Sequence, residues 1–358
     1  MNKFFMMTLA AAALLTSCTK EDNDAANNSE SSMSVKLTYG SDENSTYAVD
    51  DPLSATGNTK LQTAILFEMT GNNVFKAIQL SAQQVSDMTT KTEGCRIENI
   101  NSMVNAVLIV GNPPSGEVTN LLALKTRAAI EAHPMTVETQ QKATAGNGVT
   151  NVTIMGYETT TDGTPTAEGH NIKKVTVTVK PVVGRMEVAG KVNISGAATN
   201  NLKSVTFTDV YFTRYCTTLK KDIILEHHED TWATIPVWAK DAYSDETINK
   251  AKCHSYQFFP SSKVGAENLP IIVMKANIKV TENGIEVPKE GVYITIKKYK
   301  KADVYLTQMS PNVIYKVDLG QLTLSHEDFT EEPNPGQTDL DVKVDIAPWT
   351  VENITPEV

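Results

Sequence analysis

The sequence has few of the residues from which catalytic and metal sites are built. It holds four cysteines and six histidines in 358 residues, with no CxxC pair and no zinc-type spacing. The motifs G-x-S-x-G, G-x-x-x-x-G-K-[ST], H-E-x-x-H and G-x-G-x-x-G are all absent. The adjacent His227 and His228 in "EHHED" would point to opposite faces of a strand, which makes them a poor metal pair. We therefore predict no enzymatic activity, no cofactor and no metal site.

Clusters of positive charge and aromatic residues are also scarce. Lysine and arginine number 32 against 42 aspartate and glutamate residues, which gives a net charge of -10. No basic stripe is visible, and this argues against nucleic acid as a partner. Aromatic residues make up only 6% of the chain. Trp232 and Trp238 could still form a platform for a glycan, although tryptophan more often packs against a core.

The N-terminal stretch has an apolar run that is too short to span a bilayer. The run extends from Phe4 to Leu15 and follows a single lysine, which predicts a signal peptide over residues 1–17. The letters "LTSC", ending at Cys18, resemble a bacterial lipobox, in which the cysteine is acylated. Acyl chains would anchor the chain to a bilayer without spanning it. Residues 18–32 are polar and are expected to form a lipidated tether.

Three further cysteines occur in the chain. Cys95, Cys216 and Cys253 are an odd set. A disulfide between Cys216 and Cys253 would be stable in an oxidising compartment. Three unpaired core thiols are the equally weighted alternative, because cysteine is often just a small core residue.

Strand patterns dominate the rest of the chain and predict an all-β fold with minor helices. The clearest helical spacing covers residues 115–132, where Ser115 is a candidate cap. A new series of strands begins at Gly184, so we expect one β-sandwich domain over residues 33–183 and another over 184–332. The Pro and Gly residues of "EEPNPGQT" predict a linker, which places the linker and a terminal strand in residues 333–358.

The two ends of this body carry similar strands. Near the start, apolar Met33, Val35, Leu37 and Tyr39 alternate with polar residues. In "DLDVKVDIAPW", residues 339–349, the alternating apolar residues are Leu340, Val342, Val344 and Ile346, followed by Trp349. Each of these strands must pair with other strands in a sheet. The terminal strand can complete its own second domain or the sheet of another molecule.

The lipobox, the segments "GRMEVAGKV" and "NVIYKVDLG", and the terminal "VKVDIAPWTV" together resemble the fimbrillins. These are type V pilins, the lipoprotein precursors of surface fimbriae in Bacteroides-type anaerobes. The resemblance implies two transthyretin-like β-sandwich domains and assembly by strand exchange. In that scheme a protease removes the lipidated segment with the first strand, residues 33–39. The terminal strand of the next subunit, from Leu340 to Trp349, then takes its place.

The resemblance implies a cell-surface fimbrium at the outer membrane, built from copies of the subunit and serving adhesion to a host or bacterial surface ligand. The best-known maturation protease of this family cuts after arginine, whereas the first arginine here is Arg96. Lys60 is the only basic residue between the first two predicted strands, which makes it the candidate processing site. A processed chain would serve in the shaft. An unprocessed one would be an anchor, and a glycan-binding surface lipoprotein is the alternative from another class.

Overall fold

The computed structural model describes most of the body of the chain. The described residues are 31–39, 61–135, 152–164, 172–219, 221–226, 235, 239–243, 254–301, 304–333, 340–343 and 345–348. The predicted signal peptide and most of the tether lie outside them. Strands dominate the described residues and helices are few and short, which confirms the all-β fold class with minor helices.

The strands before residue 183 form the first strand group. They are β1 Ser31–Tyr39, β2 Ala64–Thr70, β3 Asn73–Gln79, β4 Cys95–Ile100, β5 Ala106–Gly111, β6 Ile154–Thr159, β7 Thr161–Asp162 and β8 Ile172–Pro181. They make one sheet in the order β3-β2-β5-β6-β8-β1-β4, with β7 paired to β8. Strand β1 is therefore an interior strand, and β4 is the end strand beside it.

The apolar runs in β2 and β5 are continuous because the sheet is covered on both faces there. One face contributes to a core cluster shared with β1, β4 and β8. The opposite face packs under two short helices through Leu121 and Ile130. The sheet thus curls so that β1, β4 and β8 lie across the first core from β2 and β5. Glu68 of β2 is the exception in this run, since its carboxylate is 0% exposed.

Three α-helices are described: α1 Ala82–Thr90, α2 Val118–Leu122 and α3 Arg127–Glu131. The single helix predicted over residues 115–132 is wrong. The segment is a 3-10 turn at Ser115–Glu117, then α2, then α3, which begins with the Thr126 side chain accepting a hydrogen bond from the Ala129 N–H. Thr126 also lies in an isolated bridge with Asn73, and this pairing interrupts the helical path.

The strands from residue 184 onward form the second strand group. They are β9 Gly184–Ala189, β10 Asn193–Ile194, β11 Leu202–Thr213, β12 Tyr215–Thr218, β13 Lys221–Leu225, β14 Lys240–Ala242, β15 His254–Phe258, β16 Ile271–Glu282, β17 Ile285–Lys301, β18 Val304–Tyr305, β19 Val313–Asp318, β20 Thr323–Leu324, β21 Leu340–Lys343 and β22 Asp345–Pro348. Short 3-10 turns occur at Ala266–Asn268, Leu319–Gln321 and His326–Asp328.

Two larger sheets of the second group enclose the second core. One is ordered β14-β11-β16-β17-β18, with β21 also paired to β17, and the other is ordered β15-β9-β19-β22. A single buried cluster takes side chains from both sheets, so they pack face to face. Stacked rings at its centre include Phe212 and Tyr256, whose centroids are 5.2 Å apart.

The described strand pairs all fall within one group or the other, and the change comes at residues 182–183. This is where the sequence predicts a domain boundary. The division of the chain into two separate domains stays a prediction. A third buried cluster contains Met135 and Val152 from one side, Val183 at the junction, and Leu219 and Phe259 from the other side. Contacts of this kind join the two strand groups.

Candidate strand-exchange site

The first strand, β1, is held along both of its edges. It runs parallel to β8 from Ser32 to Tyr39, and antiparallel to β4 from Ser31 to Val35. Val35 is opposite Cys95 in β4 and opposite Val175 in β8. The alternating pattern of the sequence thus marks a strand that completes the middle of a sheet.

The predicted inward row of β1 is buried in the first core. Met33 and Val35 are 0% exposed and Leu37 is 5% exposed. Their burial contributes at most about 5–9 kcal/mol before ordering costs. The fourth predicted member, Tyr39, has a described backbone, but its side chain lies outside the described residues. On the outward row, the Ser34 hydroxyl donates a hydrogen bond to the Glu93 carbonyl.

The core surface that β1 covers is apolar. It includes Ile97 from β4, Val175 and Val177 from β8, and Met88 from α1, all in the same cluster. Cys95 belongs to it as well, and burial raises the pKa of its thiol. A group held protonated by burial is a poor nucleophile, so Cys95 is a structural residue as long as β1 is in place.

Gly94 brings the chain unusually close to β1. Its φ is +74°, in the left-handed region that glycine occupies without strain. A Cβ atom at this position would lie 2.2 Å from the Val35 carbonyl oxygen and 2.9 Å from the Lys36 nitrogen. Any other residue at position 94 would therefore push against the backbone of the strand seated in this part of the sheet.

The predicted terminal strand forms two short strands on the second strand group. Strand β21 runs parallel to β17, with Leu340 opposite Ile296 and Val342 opposite Tyr299. Strand β22 runs antiparallel to β19, with Ile346 opposite Tyr315. The expectation of one continuous strand is therefore wrong. The chain passes from one sheet to the other, so each half pairs with a different neighbour.

This placement matches the alternative in which the terminal strand completes the second half of its own chain. Ile296, Tyr299 and Tyr315, the register partners named above, are all buried in the second core. The alternating row is thus in register with inward-facing positions. The side chains of Leu340, Val342 and Ile346, and all of Val344 and Trp349, lie outside the described residues.

The tail, residues 334–358, leaves the body just after a firm attachment. Thr330 and Tyr293 exchange two backbone hydrogen bonds, of 2.8 and 2.9 Å. The Thr330 hydroxyl also donates to the Glu332 carbonyl over 2.6 Å. Loss of the β21 and β22 pairings would free the tail and leave this attachment in place.

Several predicted site residues cannot be placed. Cys18, Lys60, Cys253, Trp232 and Trp238 lie outside the described residues, as do His227 and His228. Cys216 is 3% exposed and forms an isolated bridge with Phe259. Its disulfide with Cys253 stays a prediction, as do lipidation at Cys18, processing at Lys60 and the glycan platform.

Two other kinds of site are absent from the part of the chain that the structure describes. No group of three or more histidine, cysteine, aspartate or glutamate side chains there is arranged to hold a metal ion. No described helix has the length and apolar character needed to cross a membrane.

Neither a protein family model nor a curated protein matches the sequence. Solved structures do. A candidate cell adhesion protein from Bacteroides eggerthii matches with a TM-score of 0.56 and 14% identity, over 93% of this chain and 98% of that one. A second candidate cell adhesion protein, from Parabacteroides distasonis, matches with a TM-score of 0.54 and 12% identity, over 92% and 97%.

A fimbrilin from Porphyromonas gingivalis is also similar. Its TM-score is 0.53 at 14% identity, over 92% of this chain and 99% of that one. At identities this low, the structural matches establish the fold alone. The chain has the fimbrillin fold, and the resemblance read from the sequence is confirmed at that level.

Proposed function

We propose that this chain is a structural subunit of a cell-surface fimbria, of the shaft type, with no enzymatic activity. The observation that carries the proposal is the position of β1: an interior strand with its inward row buried, reached from an N-terminal segment that is predicted to be a removable tether. The fold shared with a fimbrilin and with candidate adhesion proteins supports the same role.

Removal of β1 would leave the sheet incomplete. Strand β4 is the end strand and β1 is its neighbour in the sheet order, so both β4 and β8 would present unpaired backbone groups to the gap. The apolar surface formed by Ile97, Val175 and Val177 would become exposed. An extended segment with apolar residues at every second position repairs both defects at once.

The tail of another subunit fits this requirement. Its apolar residues Leu340, Val342, Val344 and Ile346 have the spacing of Met33, Val35 and Leu37. On its own body each half of the tail pairs with one strand, β17 or β19. Between β4 and β8 it would pair along two edges. The exchange therefore gains backbone hydrogen bonds as well as burial.

Repeated exchange of this kind generates a polymer. The surface that donates differs from the surface that accepts, so the contact is heterologous and gives an open filament. The partners are then other fimbrial subunits. Acylation at Cys18 would hold the precursor at the outer membrane, and cleavage near Lys60 would release it. An uncleaved chain would instead act as an anchor, still able to donate its tail.

The test is deletion of residues 340–358 in cells that assemble the filament. We expect a folded monomer that reaches the surface and does not polymerise. Filaments built from the truncated chain would refute the donor role of the tail. N-terminal sequencing of the surface material separates the two subunit types: a start close to Leu61 identifies a shaft subunit, and a blocked, acylated Cys18 identifies an anchor.

A further inference from the structure

We propose that Asp341 fixes the register of the donated tail by standing between Arg96 and Lys174 of the receiving subunit. The inference rests on the proposed strand exchange and names the residues that select the incoming tail. In β1 the corresponding position is held by Ser34, which is opposite Arg96 in β4 and opposite Lys174 in β8. The seat of β1, meaning the space between β4 and β8, thus has a cation on each side at this level.

Both cations lie on the outer face of the sheet. Arg96 and Lys174 are exposed, whereas their neighbours Cys95 and Val175 are buried in the first core. Ser34 belongs to the outward row of β1, on the same face. Adjacent strands lie about 5 Å apart, so a carboxylate at the position of Ser34 would be close to the cations on both sides.

The charge at this level stays positive when an existing ion pair is counted. Arg96 Nε lies 2.7 Å from the Glu98 carboxylate, and both side chains are more than half exposed. An exposed pair of this kind contributes little, and the guanidinium has further N–H donors. Arg96 and Lys174 supply two positive charges against the one negative charge of Glu98. One added carboxylate would bring this group to neutrality.

The tail supplies that carboxylate when its apolar row takes the place of the inward row of β1. In this register the inward residues are replaced one for one, Met33 by Leu340, Val35 by Val342 and Leu37 by Val344. Asp341 then falls at the position of Ser34. Lys343 falls at the position of Lys36, so the charge at the next outward position is unchanged. The tail therefore differs from β1 by the one negative charge that the two cations attract.

Shifted registers are disfavoured by charge or by burial. A shift by one residue would turn the apolar row of the tail away from the core. A shift by two residues that places Val342 at Met33 would put Lys343 between the two cations. The opposite shift would put Asp339 there, but it would also place Thr338 at the fully buried position of Met33, where a hydroxyl has to be desolvated.

Pro348 favours the direction in which β1 runs. In that direction Pro348 lies two residues beyond the position of Tyr39, where β1 ends. In the reverse direction Asp345 would stand at the position of Ser34, but Pro348 would fall at Ser31, which is paired with β4. Proline has no N–H to donate to a neighbouring strand. The tail is therefore expected to run parallel to β8, as β1 does.

The first experiment uses Asp341→Lys and Asp345→Lys as a matched pair. The two aspartates flank Lys343, and on their own body each is opposite a lysine, Lys298 or Lys316. In the receiving subunit only Asp341 would meet cations, because the position of Asp345 corresponds to Thr38, which is opposite a threonine of β8.

Polymerisation of the purified full chain is started by limited proteolysis within residues 40–60 and followed by light scattering. We expect Asp341→Lys to slow it about tenfold and Asp345→Lys to slow it less than about twofold, because like charges on adjacent strands repel. Equal effects of the two changes would overturn the proposal. A larger effect of Asp345→Lys would overturn both the direction and the role of Asp341.

The second experiment reverses the charge on the receiving side. Lys174→Asp added to the Asp341→Lys chain should speed its assembly at least about threefold, and no recovery would count against the contact. Salt provides an independent measurement. In about 1 M salt the screening length falls to about 3 Å, so the defect of Asp341→Lys should shrink, whereas a purely structural defect would persist.

The outcomes separate this inference from the fimbrial role. If the unaltered chain forms no polymer after cleavage, both proposals fail. If it polymerises and Asp341→Lys polymerises at the same rate, only the register is wrong. Thermal melting of the uncleaved variants verifies that each one folds.

Discussion

Val35 in β1 and Cys95 in β4 are register partners, and both side chains are buried in the first core. The thiol is 2% exposed while β1 is seated. Because β1 is the sheet neighbour of β4, departure of β1 would free one whole edge of β4. Cys95 is thus placed to report whether the first strand is present.

Chemical labelling of Cys95 should follow the exchange. In the intact chain we expect protection from a thiol reagent. After limited proteolysis within residues 40–60 and release of the N-terminal piece, Cys95 should label within minutes, as measured by mass spectrometry of the peptides. A synthetic peptide of residues 339–349 should restore protection. Cys216, buried in the other strand group, serves as the control that should stay protected throughout.

Shortening one inward side chain of β1 should destabilise the precursor. Val35→Ala removes two methyl groups from a fully buried site, so we expect a loss of about 1–3 kcal/mol in the free energy of unfolding. Lys36→Ala changes a half-buried outward residue of the same strand, and its effect should stay within about 0.5 kcal/mol. Chemical denaturation measures both. Equal losses would contradict the assigned faces of β1.

Gly94→Ala should interfere with any strand seated between β4 and β8. Its Cβ would meet the Val35 carbonyl at 2.2 Å, whereas a Cβ on Gly71 would meet nothing within 4 Å, and both residues have positive φ. Gly71→Ala should therefore cost only about 1–2 kcal/mol for the left-handed backbone, and Gly94→Ala should cost more. Thermal melting gives the difference. In chains that lack β1 the excess should disappear, and its persistence would place the clash elsewhere.

The stability of the first strand group should fall as the pH rises through the folded-state pKa of Glu68. Burial raises the pKa of this carboxyl, and Lys76 opposes the shift. The folded state then holds the proton more tightly than the unfolded state. The stabilising contribution is present below the unfolded-state pKa and is lost as pH rises through the higher folded value.

Glu68→Gln tests this pH dependence directly. At neutral pH the variant should be more stable by on the order of 1 kcal/mol, because no charge has to be buried. At pH 4 the gain should vanish, as measured by denaturant unfolding at the two pH values. Glu158→Gln, at an exposed position of β6, is the control and should show neither change. A gain of the same size at both pH values would contradict the titration of Glu68.

Local patterning predicted the first strand of the exchange site well. The alternation of Met33, Val35 and Leu37 indicated a half-buried strand, and this row is buried in the structure. Strand β9 begins at Gly184, the residue at which a new series was expected. These features depend on period-two burial, which neighbouring residues alone determine.

The helices show where local reasoning stops. Helix α1 was missed, although Ser81 and Gln84 form a capping box that signals its start. The predicted helix over 115–132 failed because Asn73 in a distant strand pairs with Thr126 in its middle. Nor could the sequence reveal that the tail divides between two sheets, since this depends on contacts between remote segments.

The tail strands β21 and β22 lie along outer edges of the two larger sheets of the second strand group. Open sheet edges invite unwanted pairing. A subunit whose tail pairs with its own body therefore shields part of β17 and one side of β19 from other chains. When the tail is donated, the edges of β17 and β19 lose this cover. Every subunit inside a fibre would then expose both edges on its surface. Fibres made in this way should associate sideways more readily than their monomers do.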